Sequence, residues 1–341
     1  MKNYLNNKKI SFKSAGIRWL AIVIASMGML SSATAFTIFT PFTGTSVSGW
    51  TINGGATLTA ATGVDPAGQG WLRLTENQQD QSATATYDTA FPSAGGLQIT
   101  FQYATWGKTG GNGADGIVMY LIDGSVTSPT IGAYGGSLGY SSNTSTWGTA
   151  PGVTKGYVGI GFDEFGNFSF DEYGGGCTVP CGFNKNYVAV RGAGNLLDDA
   201  SSANTPLNEF SLLASVPVTA IETGATDRGN IATVRITITP APDPTITVER
   251  DTGSGYATII NALSLAGNGA VPATFKLGFS SSTGGENNFH EVRMLTIQDL
   301  KTASGVVDPV PVPVFDRYGM AALLTVLAAA FIYTALRRLK R

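Results

Sequence analysis

Hydrophobic and polar residues alternate over short stretches spread along the middle of the chain. In residues 97–103, LQITFQY, apolar side chains fall on every second position, and residues 232–239, ATVRITIT, repeat that alternation. A period of two predicts strands that place one face on a core and the other in solvent. Residues 116–122, GIVMYLI, are apolar throughout, which predicts a strand buried on both faces. Shorter strand patterns occupy residues 245–249, 275–279 and 292–297.

Helical periodicity is weak in the same region. Only residues 206–214 and 257–265 could form one or two helical turns. Glycine-rich turns separate the strand patterns, at residues 109–113, 135–139, 174–176 and 284–285. No linker divides residues 36–300. Many short strands joined by turns predict an all-β fold, and we expect one β-sandwich domain over residues 36–300.

Composition agrees with this fold class and excludes several functions. Charged residues make up 13% of the chain, which has 44 glycines, and this mixture is unlike that of helical bundles or coiled coils. Residues 36–336 hold 12 Lys and Arg against 23 Asp and Glu, a net charge of −11. An acidic body is the opposite of a nucleic-acid-binding surface, so we expect no nucleic-acid partner. With one His and two Cys, the chain cannot assemble a four-ligand Cys/His zinc site.

The N-terminal end is a hydrophobic segment with a basic flank. Residues 1–35 begin with a basic stretch and continue through the apolar run WLAIVIASMGML at 19–30 to Ala33-Thr34-Ala35. A short apolar run before a small-x-small motif predicts a secretory signal peptide that is cleaved after Ala35, the alternative being an uncleaved anchor. We therefore expect an exported protein.

A second hydrophobic segment follows a Pro-rich spacer at residues 301–317, in which residues 308–314 read DPVPVPV. Residues 318–336 are predominantly apolar, and as a helix they reach about the thickness of a thin bilayer. Residues 337–341, RRLKR, form a basic tail that the positive-inside rule keeps cytoplasmic. This arrangement predicts a transmembrane helix that holds the body outside the inner membrane.

The C-terminal segment resembles the PEP-CTERM and IPTL-CTERM class of bacterial sorting signals, with a Pro-containing motif from Val312, one helix and a basic end. The resemblance implies an exported protein of a Gram-negative bacterium. A sorting protease would remove the tail and release the domain to the cell surface or exterior. Without processing, the helix would keep a periplasmic domain anchored in the inner membrane.

Several motifs of the body occur in an order that resembles the L-type (legume-type) lectins, most closely their bacterial members. The motifs are GNGADGIVMYL at 111–121, GAYGGSLGY at 132–140, YVGIGFDEFGN at 157–167, NYVAVRG at 186–192 and FKLGFSSSTGGENNFHE at 275–291. The resemblance covers roughly residues 40–300. It implies a concanavalin-like jelly-roll β-sandwich that binds a glycan or polysaccharide without catalysis.

The lectin resemblance implies a set of sugar-binding residues. They are Asp115, Gly135, Gly136, Asn167, Gly284 and Gly285. Asp115 would accept hydrogen bonds from two sugar hydroxyls, with a cis peptide before it, and charge-assisted hydrogen bonds are the stronger kind. Gly135 and Gly136 would let backbone N–H groups approach the sugar. Asn167 has an oxygen for a metal and an NH₂ group for the sugar.

A local repeat, FDEFG at 162–166 and FDEYG at 170–174, crowds four carboxylates into ten residues. Such crowding costs repulsion unless solvent or a cation relieves it. The resemblance implies these Ca²⁺ ligands: Asp163, the backbone carbonyl of Phe165, Asn167 and Asp171, with Glu172 as the alternative last acid. Plant lectins have Glu where this chain has Gly161 and His where it has Tyr187, and both serve a transition-metal site. We therefore expect Ca²⁺ and no Mn²⁺.

Two further features lie near this loop. Cys177 and Cys181 are close in sequence, and export to an oxidising compartment favours a disulfide over two free thiols. Trp106, Tyr134 and Trp147 are candidates to stack on the apolar face of a sugar, with core packing as the default for each.

Two other functions stay open. Some β-glucanases share the jelly roll, but they display E-x-D-x-x-E on one strand, and residues 161–166 lack the first and last Glu. A structural biofilm or matrix protein with a vestigial sugar pocket is the third interpretation. His290 is interpreted as structural, because the chain has no G-x-S-x-G elbow to supply a nucleophile.

Overall fold

The strand patterns of the sequence become two antiparallel sheets in the computed structural model. The structure describes residues 35–143, 150–194, 209–219 and 221–300, which all belong to one compact unit. The strands within these residues are β1 Thr37–Thr40, β2 Trp50–Gly54, β3 Thr57–Leu58, β4 Leu72–Thr75, β5 Ser82–Tyr87, β6 Phe91–Pro92, β7 Leu97–Trp106, β8 Gly116–Asp123, β9 Gly156–Asp163, β10 Tyr187–Arg191, β11 Leu212–Pro217, β12 Ala232–Ile238, β13 Thr245–Asp251, β14 Ala257–Ser264, β15 Thr274–Ser282 and β16 Phe289–Asp299. A turn of 3-10 helix covers Gly135–Ser137.

Each sheet contains eight strands. The first sheet has the order β14-β13-β12-β7-β16-β4-β3, and β1 also pairs with β16. The second sheet has the order β11-β10-β9-β8-β15-β5-β2, and β6 also pairs with β15. Sequence-distant strands become neighbours, as where Ile99 of β7 lies opposite Ile297 of β16. The predicted all-β sandwich is therefore confirmed.

The alternating stretches form strands as predicted. In β7 the odd-numbered residues from 97 to 103 are buried and those between them are half-buried, and β12 beside it shows the same alternation. The helical alternative for residues 257–265 is wrong, because residues 257–264 form the edge strand β14 on β13. Pairing satisfies the backbone groups along one side of that strand. Residues 206–214 are not helical where the structure describes them, since β11 begins at Leu212.

The apolar strand β8 is buried on both faces, as its composition predicts. Its odd-numbered apolar residues pack in the core between the two sheets. Its even-numbered ones pack in a second cluster, with Leu138, Tyr140 and Phe210, on the outer face of the second sheet. Loops therefore cover the outer face of this sheet, and they bring side chains to the end of β8.

Aromatic rings join the two sheets in the core. Phe101 of β7 lies 6.0 Å from Phe162 of β9 and 5.0 Å from Phe279 of β15, measured between ring centroids. Burial of a ring of this size stabilises the fold by about 1.5–3 kcal/mol. This packing joins β7 of the first sheet to β9 and β15 of the second.

Apart from residue 35, the predicted signal peptide and the predicted C-terminal membrane segment lie outside the described residues. Of the predicted signal peptide only residue 35 is described, and the spacer, helix and tail at 301–317, 318–336 and 337–341 are not. Across the described part of the chain, the structure contains no helix with the length and apolar character needed to cross a bilayer. The domain limits at 36 and 300 stay predictions.

Candidate functional site

Three neighbouring strands of the second sheet end at the same place. Asp115 precedes the first residue of β8, Gly116, which pairs with Asp163 at the end of β9 and with Ser282 at the end of β15. The Asp115 N–H donates to the Ser282 carbonyl at 3.0 Å. The Glu164 N–H donates to the Asp115 carbonyl at 3.0 Å. Two carboxylates from adjacent strands are thereby brought side by side.

A cavity of about 440 Å³ opens at this edge. It is lined by Asp80, Ala114, Asp115, Tyr134, Gly135, Gly136, Asn143, Phe165, Asn167, Tyr173, Gly284, Gly285 and Glu286. All six residues that the sequence motifs assigned to sugar binding are among them, and so are two predicted metal ligands, Phe165 and Asn167, the latter assigned to both roles. Five separate loops contribute the lining residues, which the fold collects around one concave space.

Asp115 is buried, with 4% of its surface exposed. Its Oδ2 has no hydrogen-bond partner among the described residues. Burial, reinforced by the nearby Glu164 carboxylate, raises the pKa of Asp115 to about 8. The Ala114–Asp115 peptide bond is cis, as the motif resemblance implied. A buried polar oxygen that the protein does not satisfy calls for a further group, such as a water molecule, an ion or a ligand.

The two glycines of the 3-10 turn have different reasons to be glycine. Gly135 has a positive φ of 63°, a conformation that glycine adopts without steric cost. At Gly136 a Cβ would overlap the Asn167 side chain and the Tyr173 ring. Gly136 therefore makes room first for Asn167, whereas the sequence interpretation gave this room to the sugar.

Asn167 and Tyr173 line the cavity together. The Asn167 Nδ2 donates to the Tyr173 Oη at 3.4 Å, and the Ser141 Oγ donates to the Tyr173 carbonyl at 3.3 Å. Tyr134 lies on the cavity lining with 49% of its surface exposed. The cavity thus offers an aromatic surface beside polar groups, which is the usual composition of a small-molecule site.

The predicted metal ligands start from Asp163, which is fully buried. Its Oδ1 accepts a hydrogen bond from the Gly166 N–H at 2.7 Å, and its Oδ2 has no partner among the described residues. Burial raises the pKa of Asp163 well above its usual range, and the Asp115 carboxylate adds to this shift. Asn167 and Phe165 are half-buried, whereas Asp171 is exposed.

The donor chemistry of this corner suits a hard cation. Two buried carboxylates, Asp115 and Asp163, each keep an unpartnered oxygen, and like charges in a low-dielectric site repel. Asp163, the Phe165 carbonyl and Asn167 present only oxygen donors, the type that Ca²⁺ prefers. Within the described ranges, no three His, Cys, Asp or Glu side chains group as metal ligands. A site here would therefore depend on amide and carbonyl oxygens besides the carboxylates.

Position 161 has no space for a side chain. A Cβ at Gly161 would overlap the Phe168 ring, which is fully buried on the outer face of the second sheet. Tyr187 pairs with Asp163 across β10 and β9. At the two positions compared with plant lectins, the Phe168 ring therefore fills the space beside Gly161, and Tyr187 presents a phenol.

Comparisons with known proteins show which solved structures share this fold. No protein-family model matches the chain, and no curated protein matches it. Among solved structures, basic winged bean lectin with Tn-antigen gives a TM-score of 0.52 at 15% identity, over 78% of this chain and 98% of that one. Peanut lectin gives 0.50 at 18%, over 77% and 97%. The VIP36 exoplasmic/lumenal domain in its Ca²⁺/Man-bound form gives 0.50 at 15%, over 80% and 91%.

The chain has the L-type lectin fold. All three structures share their fold with this chain over 77–80% of its length, at 15–18% identity. Within this lectin fold, the cavity lies where β8, β9 and β15 end.

Arg191 has a role in the lectin fold that its motif did not reveal. Its buried guanidinium donates to three backbone carbonyls: from Nε to Phe168 at 2.8 Å, from Nη1 to Phe210 at 2.8 Å and from Nη2 to Phe170 at 2.6 Å. It therefore fixes the segment between Asn167 and Asp171. Sequence reasoning missed Asp80, Asn143 and Tyr173 as lining residues. Of these, only Tyr173 lies inside a quoted motif, whereas Glu286 follows the two glycines predicted to bind sugar.

His290 is fully buried, as its structural interpretation requires. Its Nδ1 lies 2.6 Å from the Thr75 Oγ1, and its Nε2 lies 3.3 Å from the Glu164 Oε1. The Asn288 Nδ2 donates to the other Glu164 oxygen at 2.9 Å. These groups tie β16 to the end of β9 behind the cavity. None of them is a lining residue.

The remaining predictions near the loop have different outcomes. Cys177 and Cys181 form the predicted disulfide, with Cα atoms 6.0 Å apart. Trp106 packs on Phe289, with ring centroids 4.4 Å apart, and donates to the Glu291 carboxylate. Contacts with Phe289 and Glu291 therefore account for the half-buried Trp106, while Tyr134 lines the cavity. Trp147 lies outside the described residues.

Proposed function

We propose that this chain is an exported, calcium-dependent carbohydrate-binding protein without catalytic activity. The observation that carries the proposal is the Asp115 carboxylate, buried at the end of β8, with an unpartnered oxygen in a cavity of about 440 Å³. A sugar hydroxyl is a donor of the right kind for that oxygen. The exposed Tyr134 ring beside it offers an apolar surface for the face of a sugar ring.

The remaining lining residues supply shape and orientation. Gly284 and Gly285 present backbone without side chains, so a ligand can approach the loop closely. The Ser282 Oγ donates to the Gly135 carbonyl at 2.6 Å, which fixes the turn on the opposite side. Asn167 donates toward the Tyr173 Oη, so its amide plane is set by a neighbouring residue. We infer that these groups position a sugar whose hydroxyls bind Asp115 and Asn167.

Asp163, the Phe165 carbonyl, Asn167 and either Asp171 or Glu172 would hold Ca²⁺. When bound, the ion would neutralise the buried acidic charge and fix the loop that bears Asn167. The unpartnered Asp163 Oδ2 supports this assignment. The closed space at Gly161 supports the expectation of a site without Mn²⁺.

Fold neighbours support the same proposal. Basic winged bean lectin was solved with Tn-antigen, and winged bean acidic lectin, with a TM-score of 0.51 at 13% identity, was solved with methyl-α-D-galactose. The VIP36 domain was solved with Ca²⁺ and Man. A glycan partner and a calcium cofactor follow for this chain by analogy of fold and by its own cavity residues.

For location, we propose secretion through the signal peptide at 1–35, followed by anchoring through the helix at 318–336 or removal of that helix by a sorting protease at a bacterial envelope. The Cys177–Cys181 disulfide supports an oxidising compartment. Intact-mass analysis of the exported protein distinguishes the two fates. A mass that ends before Gly319 indicates processing, and a full-length C-terminus in the inner-membrane fraction indicates an anchor.

A glycan array tests the binding function. Wild-type protein should bind a subset of glycans in Ca²⁺, lose that binding in EDTA and hydrolyse none of the bound oligosaccharides. Asp115→Asn should weaken the binding free energy by about 1.5–3 kcal/mol, the range for a hydrogen bond to a charged group. Asp123→Asn, at the opposite end of the same strand, is the control and should bind normally. Equal binding by the Asp115 variant and the wild type would move the site elsewhere, and hydrolysis would favour a glycosidase.

A further inference from the structure

The cavity contains more acidic groups than the sugar-binding motif requires. Besides Asp115, both Asp80 and Glu286 line it. Asp80 is exposed in the loop between β4 and β5, and its N–H donates to the Gly284 carbonyl at 3.2 Å. Its φ of 55° is in the left-handed region. Glu286 is half-buried, and its carboxylate accepts from the Asn112 N–H at 3.3 Å and the Asn112 Nδ2 at 3.4 Å.

No lysine or arginine is among the described residues that line the cavity. Lys185 lies outside the lining, with its Nζ 3.0 Å from the Asn112 Oδ1 and 5.0 Å from the centroid of the Phe165 ring. Asn112 therefore accepts from Lys185 and donates to Glu286. This amide separates the lysine ammonium from the acidic lining.

Bound calcium would not cancel the acidic lining. The two positive charges of the ion would be matched by the carboxylates of Asp163 and the later acid, Asp171 or Glu172. Asp80 and Glu286 would still line the cavity as acids that hold no ion, beside the buried Asp115. Like charges in a partly desolvated site cost more than in water, whereas an ammonium group gains charge-assisted hydrogen bonds to carboxylates.

We propose that this cavity selects sugars by charge: it favours a sugar with a free, protonated amino group, accepts neutral sugars less well and rejects sugars that carry a carboxylate. Asp80 and Glu286 are the specificity-determining residues. The proposal rests on the proposed sugar-binding function. The unpartnered Asp115 Oδ2, buried and facing the same cavity, is the observation that ties these acids to a ligand. Rejection of an anion by fixed like charge is a common source of specificity.

Isothermal titration with matched methyl glycosides tests the proposal. One series has galactose, galactosamine and galacturonate, and a second has the glucose counterparts, all in Ca²⁺. In the series that binds, affinity should be highest for the amino sugar, lower for the neutral sugar and lowest for the uronate. At low salt the affinities for the amino sugar and the uronate should differ by about tenfold or more. The spread should shrink at high salt, because exposed charges are screened beyond about 3 Å at 1 M.

Variants identify the responsible acids. Asp80→Asn and Glu286→Gln should each reduce the amine-to-uronate ratio several-fold while the neutral sugar keeps its affinity. Asp88→Asn, an exposed acid at the far end of β5, is the control and should leave the ratio unchanged.

Three results would overturn the proposal. Uronates that bind as well as or better than neutral sugars would assign the charge preference to Lys185 or to calcium. Neutral sugars that bind with no discrimination by charge would leave the sugar-binding function standing and remove the selectivity. Failure of every sugar to bind would overturn both proposals together.

Discussion

Buried carboxylates occur in two regions of this molecule, with opposite surroundings. In the first sheet, Glu291 of β16 is fully buried. Its Oε1 accepts from the Arg73 Nε at 2.9 Å and from the Arg228 Nη2 at 2.8 Å. Its Oε2 accepts from the Trp106 Nε1 at 2.8 Å. Arg228 also binds Asp65 at 2.7 Å, so the loop that bears it is held to the sheet.

At the cavity, the second region, Asp115 and Asp163 are as deeply buried but each keeps an oxygen without a partner among the described residues. Arg191 contributes no hydrogen bond to either of them, because its guanidinium donates to the carbonyls of Phe168, Phe170 and Phe210. A buried charge is stable only when it is paired. The chain supplies charged partners for Glu291, whereas Asp115 and Asp163 each keep one oxygen without a partner among the described residues, and burial raises the pKa of both.

Removal of the paired charge should have the largest effect on stability. Glu291→Gln leaves Arg73 and Arg228 without their buried counter-charge, and breaking a buried ion pair costs about 3–5 kcal/mol of unfolding free energy. Urea unfolding at neutral pH measures this loss. Glu76→Gln is the matched control, because Glu76 pairs with the same Arg73 from a side chain that is 42% exposed. It should cost less than about 1 kcal/mol. Equal losses would contradict the distinction between the two sites.

Removal of the Asp163 carboxyl group should have the second-largest effect, and it should change only the stabilisation of the fold by Ca²⁺. Wild type should gain about 2.7 kcal/mol of unfolding free energy when Ca²⁺ is 100-fold above its Kd. Asp163→Asn should abolish that gain. In EDTA the variant should be no less stable than wild type, since the amide oxygen can still accept from the Gly166 N–H and replaces a carboxyl group whose charged form burial disfavours.

Thermal unfolding of wild type and the Asp163 variant, in Ca²⁺ and in EDTA, tests the calcium prediction. Asp227→Asn is the control, because Asp227 likewise accepts a backbone N–H, from Gly229 at 2.8 Å, but on an exposed loop. It should keep the full calcium response. A persistent response in the Asp163 variant would mean that the ion binds elsewhere.

An exposed pair on the first sheet should show the smallest effect. Arg235 and Glu249 lie opposite each other on β12 and β13, with side chains 33% and 18% exposed. Glu249→Gln should cost less than about 1 kcal/mol at neutral pH, as for partly exposed pairs.

The cost should also depend on pH. The hydrogen bond from Arg235 lowers the pKa of Glu249 below the ordinary value of 4.5. A lowered folded-state pKa stabilises the fold above the unfolded-state value, and that contribution is lost as the pH falls through the folded-state value. Urea unfolding at neutral and acidic pH should therefore show the difference between wild type and variant shrink in acid. A difference that grows in acid would contradict this sign.

The sequence could predict the sandwich because its signals are local. The alternation at 97–103 and the continuous apolar run at 116–122 report which faces of a strand are buried, and both correspond to the strands β7 and β8. Residues 257–265 misled because an edge strand that is mostly exposed has little apolar periodicity to distinguish it from a helix. Its pairing with β13 is a contact between sequence-distant groups, which no local pattern records.

For the site, the sequence by itself determined the chemical identity of its central residues: an acid before the buried strand at Asp115, a carboxylate-rich loop at Asp163, and glycines at the two turns. Tertiary structure decided which buried acids are paired and which are not. The partners of Glu291 come from β4, β7 and the loop at Arg228, and the additional acids of the cavity come from loops at Asp80 and Glu286. Charge and hydrogen-bond satisfaction depend on distances between sequence-remote atoms, and only the packed sheets fix those distances.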